Sequence, residues 1–165
     1  MHKKIEVFIF YKINNSTGFK SKLKTIVLKR ITSAAQLLKV STQPQAAFNI
    51  AFSQSGLTKL GVTANVQDAP FTAGQASDAN NLGDPGLSNW LSAFKDKNNL
   101  HGVFLVASDR QDLVEAGVKF LQTAFGSDMS ITYRLQGQIR PGSNAGHESV
   151  LISLYLPELL TLTSA

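Results

Sequence analysis

The chain has 165 residues, enough for one domain with a buried core, and its 43% hydrophobic and 16% charged content matches a soluble globular protein. It has no cysteine, which excludes a disulfide framework, a thiolate nucleophile and a zinc–thiolate centre. The net charge of +5 is uneven: residues 1–40 carry nine Lys/Arg and one acid, Glu6, whereas residues 41–165 carry seven Lys/Arg and ten acids.

A basic arm on a near-neutral body raises nucleic acid or an anionic membrane surface as a partner. No apolar run reaches the ~18 residues of a membrane span. The run Val7–Tyr11 is ended by Lys12, too early for a secretory signal, so the chain as written is expected in the cytoplasm.

In chain order, Glu6–Ile13 reads as a strand. Ile5, Val7, Ile9, Tyr11 and Ile13 share one face, and Phe8 and Phe10 lie on the other. Asn14–Gly18 is a turn with a helix N-cap. The spacing of Phe19, Leu23, Ile26, Val27, Ile31, Ala34, Ala35 and Leu38 then predicts one long helix with an apolar stripe of about 30 Å. Pro44 breaks that pattern; Ala46–Phe52 reads as a second strand and Ser55–Leu60 as a short helix closed by Gly61.

Residues 63–99 carry no sustained period, only turns rich in Pro, Gly, Asn and Asp. So long a connection is expected to be functional or packed on the body, with Trp90, Leu91 and Phe94 as the docking residues. Val103–Ala107 is wholly apolar, as in a central strand. Ser108–Gln111 resembles a capping box opening a helix with Leu113, Val114, Val118, Leu121 and Phe125, stopped at Gly126. Ser130–Gln136 alternates, with Ile131, Tyr133 and Leu135 expected inward and Thr132 and Arg134 outward.

The order of elements predicts an α+β, ferredoxin-like sandwich: an antiparallel sheet with helices on one face. The other face, with Phe8 and Phe10, needs a partner, either a second domain or a second copy.

Few residues offer chemistry. Of three histidines, His2 belongs to a frayed end and His101, just before an apolar strand, is expected to be structural. His147, in the polar segment Asn144-Ala145-Gly146-His147-Glu148, is the weak candidate for holding a cofactor. No two histidines share a helix face, so no metal site is predicted, and no catalytic residue either. Asp109, Asp112 and Glu115 suit the first turns of a helix, and Asp84 suits a turn. No P-loop, dinucleotide fingerprint or nucleophile elbow occurs. Lys20, Lys22, Lys24 and Lys29 lie off the apolar stripe without interleaved aromatics, which reads as a solvated helix face; neither a nucleic acid nor a membrane partner is expected.

Several segments together resemble one family. They are Arg30-Ile31-Thr32-Ser33-Ala34-Ala35, Asn49–Leu57 with Leu60-Gly61-Val62, Gly74-Gln75, Asp78-Ala79, Leu82-Gly83-Asp84 and Trp90. His101–Asp109, Leu135-Gln136-Gly137, Arg140-Pro141-Gly142 and Gly146-His147-Glu148 complete the series. In order and without large gaps, they are similar to the N-terminal domain of dye-decolourising-type haem peroxidases.

That resemblance implies two ferredoxin-like domains packed sheet to sheet as a dimeric α/β barrel. Haem b would lie in the C-terminal one, and hydrogen peroxide would drive oxidation of dyes and phenolic compounds. It also implies a distal aspartate in a G-x-x-D-G motif soon after Gly146-His147-Glu148, with a distal arginine and a proximal histidine later. Here Ser149-Val150-Leu151-Ile152 follows instead, and no G-x-x-D-G occurs. The expectation is therefore an N-terminal domain over residues 1–148, truncated before that motif, with a divergent tail over 149–165. Such a chain would not bind haem or turn over peroxide by itself, and its partner would be the missing C-terminal half or a second copy. Relatives within the family are expected to be secreted.

Overall fold

The computed structural model describes residues 4–138 apart from 34, 36, 37, 43, 64 and 65. His2, His147, the Arg140-Pro141-Gly142 segment and the tail from Ser149 lie outside the described residues.

Four strands, β1 (Ile5–Ile13), β2 (Ala46–Phe52), β3 (Gly102–Ser108) and β4 (Met129–Gln138), form one antiparallel sheet in the order β2-β3-β1-β4. With a helix after β1 and another after β3, this is the ferredoxin-like arrangement that the element order predicts. The strands form where β-branched and aromatic residues alternate, and along β1 every second side chain from Val7 to Ile13 is fully buried.

Helix α1 (Ser16–Lys22) is capped by Asn15, whose side-chain oxygen accepts from the Gly18 amide. It runs on as a widened π turn, Leu23–Val27, where the Leu28 amide reaches back to the Leu23 carbonyl at 2.9 Å. The predicted long helix to Leu38 is not formed. The chain peels away after Val27 because Thr32 joins the edge of β2: its amide and hydroxyl donate to the Phe48 carbonyl at 2.9 and 3.0 Å, and the hydroxyl accepts from the Phe48 amide. Ile31 still packs on the core, which is why the apolar period outlasts the helix, while Leu38 is 88% exposed.

The second main helix, α6 (Gln111–Phe125), buries Val114, Val118, Leu121 and Phe125 and ends at Gly126. No capping box opens it: Arg110 stands at the N-cap without a side-chain bond, and the Ser108 hydroxyl accepts from the Arg110 amide instead. Between α1, α6 and the sheet, the rings of Phe19 and Phe125 stack at 4.5 Å. Phe104 joins them, 4.9 Å from Tyr11 and 5.6 Å from Phe125. Burial of such a ring contributes roughly 2–3 kcal/mol relative to exposure.

Strand β4 departs from simple alternation. Phe10 pairs with Tyr133 but Tyr11 pairs with Ile131, which leaves Thr132 as an extra residue in a β-bulge. The bulge moves Tyr133 and Leu135 to the face of Phe8 and Phe10, and turns Arg134 toward α6, where it pairs with Glu115. The expected inward set of Ile131, Tyr133 and Leu135 is thus split between two faces.

Residues 53–101 form an excursion of short turns: α2 (Gln54–Lys59), α3 (Ala69–Ala73), α4 (Gln75–Asp78) and α5 (Ser92–Lys95), with 3-10 turns at Leu87–Asn89 and Lys97–Asn99.

Candidate functional site

Among the described residues, the sheet face turned away from α1 and α6 carries a half-buried apolar set. Cross-strand pairing puts Phe8 beside Leu105 and Leu135, and Phe10 beside Val103 and Tyr133, all six half-buried. Phe94 of α5 covers one end: its ring meets Phe10 edge-on at 5.0 Å and Tyr133 at 5.1 Å. The excursion therefore docks on the sheet through a residue that the sequence singles out. At the other end stands Glu6, paired across the sheet with Ala107 and Gly137. Burial holds its carboxyl above the ordinary range, a carboxylate poorly suited to its surroundings. Sequence reasoning passed over Glu6, although its alternation with Phe8 and Phe10 places it on this face.

His101 sits where the excursion rejoins the sheet. It is 5% exposed, and its Nδ1 accepts from the Ile13 amide at 2.8 Å. Accepting at Nδ1 requires a neutral imidazole whose proton is on Nε2. Burial, then the nearby Lys59 and Lys12, hold its pKa below the ordinary histidine value. Its backbone is engaged as well, donating to Tyr11 and accepting from Ser53. Helix α2 rests on the same carbonyl so closely that a Cβ on Gly56 would stand 1.8 Å from the His101 oxygen.

The remaining candidates have structural partners. Asp84 accepts from the Trp90 indole N–H at 2.6 Å and the Gly86 amide at 2.7 Å, which together lower its pKa and fold the turn. Asp112 pairs with Arg110, and Glu115 with Arg134. Lys22 pairs with Asp128 at 2.7 Å, and Lys20 reaches the Leu60 carbonyl; Lys24 and Lys29 are exposed. Among the described residues, no group of three or more His, Asp or Glu side chains could hold a metal ion. No helix among them is long and apolar enough to cross a membrane.

A family model described as the DyP dimeric alpha+beta barrel domain matches residues 1–141. The chain belongs to the dye-decolorizing peroxidase family. Peroxidase 2 of Mycetinis scorodonius is 48% identical over 149 residues, which cover 90% of this chain and 29% of that protein. A dye-decolorizing peroxidase of Exidia glandulosa is 47% identical over 148 residues, again 90% of this chain and 29% of the relative. The crystal structure of a decolorizing peroxidase from Auricularia auricula-judae superposes with a TM-score of 0.81 at 42% identity, covering 89% of this chain and 33% of that one. The chain thus spans about 29% of the length of these curated dye-decolorizing peroxidase relatives.

One solved structure of a dye-decolorizing peroxidase is described by the engineering of its heme pocket. The described residues here do not fit such a group. An iron ligand needs a ring nitrogen with a free lone pair, and the lone pair of the neutral His101 ring, on Nδ1, accepts from the Ile13 amide in a residue 5% exposed.

Proposed function

We propose that this domain is the N-terminal sheet half of a haem-dependent peroxidase that uses hydrogen peroxide to oxidise dyes and phenolic compounds. The chemistry belongs to residues outside this chain, and the 165-residue polypeptide has no peroxidase activity of its own. The observation that supports the second statement is the burial of His101 with its Nδ1 lone pair taken by the Ile13 amide. The sequence adds a further one: without a G-x-x-D-G motif, no aspartate of that motif is available to move a proton during peroxide cleavage. His147 is the candidate of this chain for contact with haem b.

The domain runs over residues 1–148, with 149–165 as a divergent tail. Its role is to present the face built around Phe8, Phe10, Leu105 and Leu135 to the haem-bearing half. The test is peroxide-driven oxidation of a dye and a phenol by the purified chain with added haemin. No turnover above haemin alone is expected; turnover that saturates with chain concentration would overturn the reading.

The same apolar face favours a second reading, a non-catalytic module that self-associates through its sheet. Light scattering distinguishes them: a defined symmetric dimer, dissociated by Leu105→Asp, supports the module, and a chain that forms no such dimer opposes it.

A further inference from the structure

The turn that leaves β1 and opens α1 reads Asn14-Asn15-Ser16-Thr17. It contains two overlapping copies of the Asn-x-Ser/Thr pattern that accepts an N-linked oligosaccharide, one starting at Asn14 and one at Asn15. No other asparagine of the chain stands in that pattern. The turn also has the exposure that a glycan needs. Both asparagines are exposed, on a backbone held in place by their two amides, which donate to the Asp128 carbonyl at 2.8 and 3.2 Å.

The two side chains differ in what a sugar would disturb. Asn15 is committed to the fold: its Oδ1 accepts from the Gly18 amide as the cap of α1, and its Nδ2 donates to Asp128 Oδ1 at 2.9 Å. Asp128 is 8% exposed and pairs with Lys22 at 2.7 Å. Its carboxylate lies so close to α1 that a Cβ on Gly18 would stand 2.3 Å from its other oxygen. A sugar joined to Asn15 Nδ2 would crowd this pair. Asn14 instead donates to the Ser127 carbonyl at 3.0 Å and accepts from the Ser130 hydroxyl at 3.3 Å. Both bonds lie at the surface, where water can replace either at little cost.

We propose that this turn is an acceptor site for an N-linked oligosaccharide in the secretory lumen, and that Asn14, not Asn15, carries it. The donor is an oligosaccharide joined through its C1 to a lipid diphosphate. The C1–O bond breaks and the lipid diphosphate departs. A bond forms between C1 and Asn14 Nδ2, one Nδ2 proton is released, and the second N–H stays on the amide. The site is formed by this chain alone and stands or falls separately from the peroxidase reading.

The test expresses the full 165-residue chain in yeast behind a cleavable secretion leader, which supplies entry to the lumen; removal of the leader confirms that entry. Intact mass is read in medium and cell lysate, before and after a peptide N-glycosidase. That enzyme converts a glycan-bearing asparagine to aspartate, so peptide mass marks the residue that was modified. The expected result is a single glycan, marked at Asn14. It should be kept in Thr17→Ala, which removes only the Asn15 pattern, and lost in Asn14→Gln, which leaves the Asn15 pattern intact. A leader-processed parent without a glycan, a glycan marked at Asn15, or one that survives Asn14→Gln would overturn the proposal.

Discussion

Replacing His101 by alanine should unpin the excursion from the sheet and remove an acid-sensitive element of stability. The substitution leaves the buried Ile13 amide without its acceptor and removes a ring that is 5% exposed. An orphaned buried donor costs about 1–3 kcal/mol, and the cavity left by the ring adds to it, so the expected loss at neutral pH is roughly 3 kcal/mol. The pH dependence follows from the neutral ring. In the unfolded chain a histidine takes its proton near about pH 6.5. In the fold, burial and the neighbouring Lys59 and Lys12 resist that proton. The unfolded state therefore binds more protons, and stability falls as pH drops below about 6.5 until the folded ring also protonates. Between about pH 7.5 and about pH 5.5 the ring can remove at most about 1.4 kcal/mol from the parent protein, and none from the variant. Urea unfolding of both proteins at the two pH values gives the comparison. A stability gap that stays constant or widens on acidification would refute the neutral imidazole that accepts from Ile13.

Three further outcomes follow from the same contacts. Phe94→Ala removes two edge-on ring contacts and should cost about 2 kcal/mol in urea unfolding, with faster protease cleavage inside residues 63–99. Gly56→Val forces a side chain into the His101 carbonyl and should destabilise by more than about 2 kcal/mol; a neutral effect would mean that α2 does not rest on that strand mouth. Leu105→Asp lies on the face opposite the helical core, so it should reduce self-association in light scattering while changing the unfolding free energy by less than about 1.5 kcal/mol.

The strands were legible because their physics is local. Ala46–Phe52 forms over the span that its β-branched and aromatic content marks, and the buried set of β1 is the set that alternation selects. What escaped depends on contacts across the chain. The first helix ends early because Thr32 bonds Phe48, sixteen residues away, and apolar periodicity carries no trace of that competitor. The bulge at Thr132 exists only relative to Phe10 and Tyr11, yet it decides which face Tyr133 and Leu135 join. The site is divided in the same way. The docking role of Phe94 is readable from its position, whereas the partner of the His101 ring, the Ile13 amide, lies 88 residues away in the sequence and leaves no local mark.

The central claim is that this domain carries the family's fold without its iron site, and a haem titration of the purified chain, followed by absorbance in the Soret region, tests it most directly. The account predicts no saturable Soret band. Stoichiometric, saturable binding would contradict it and would make His147 the first ligand to replace.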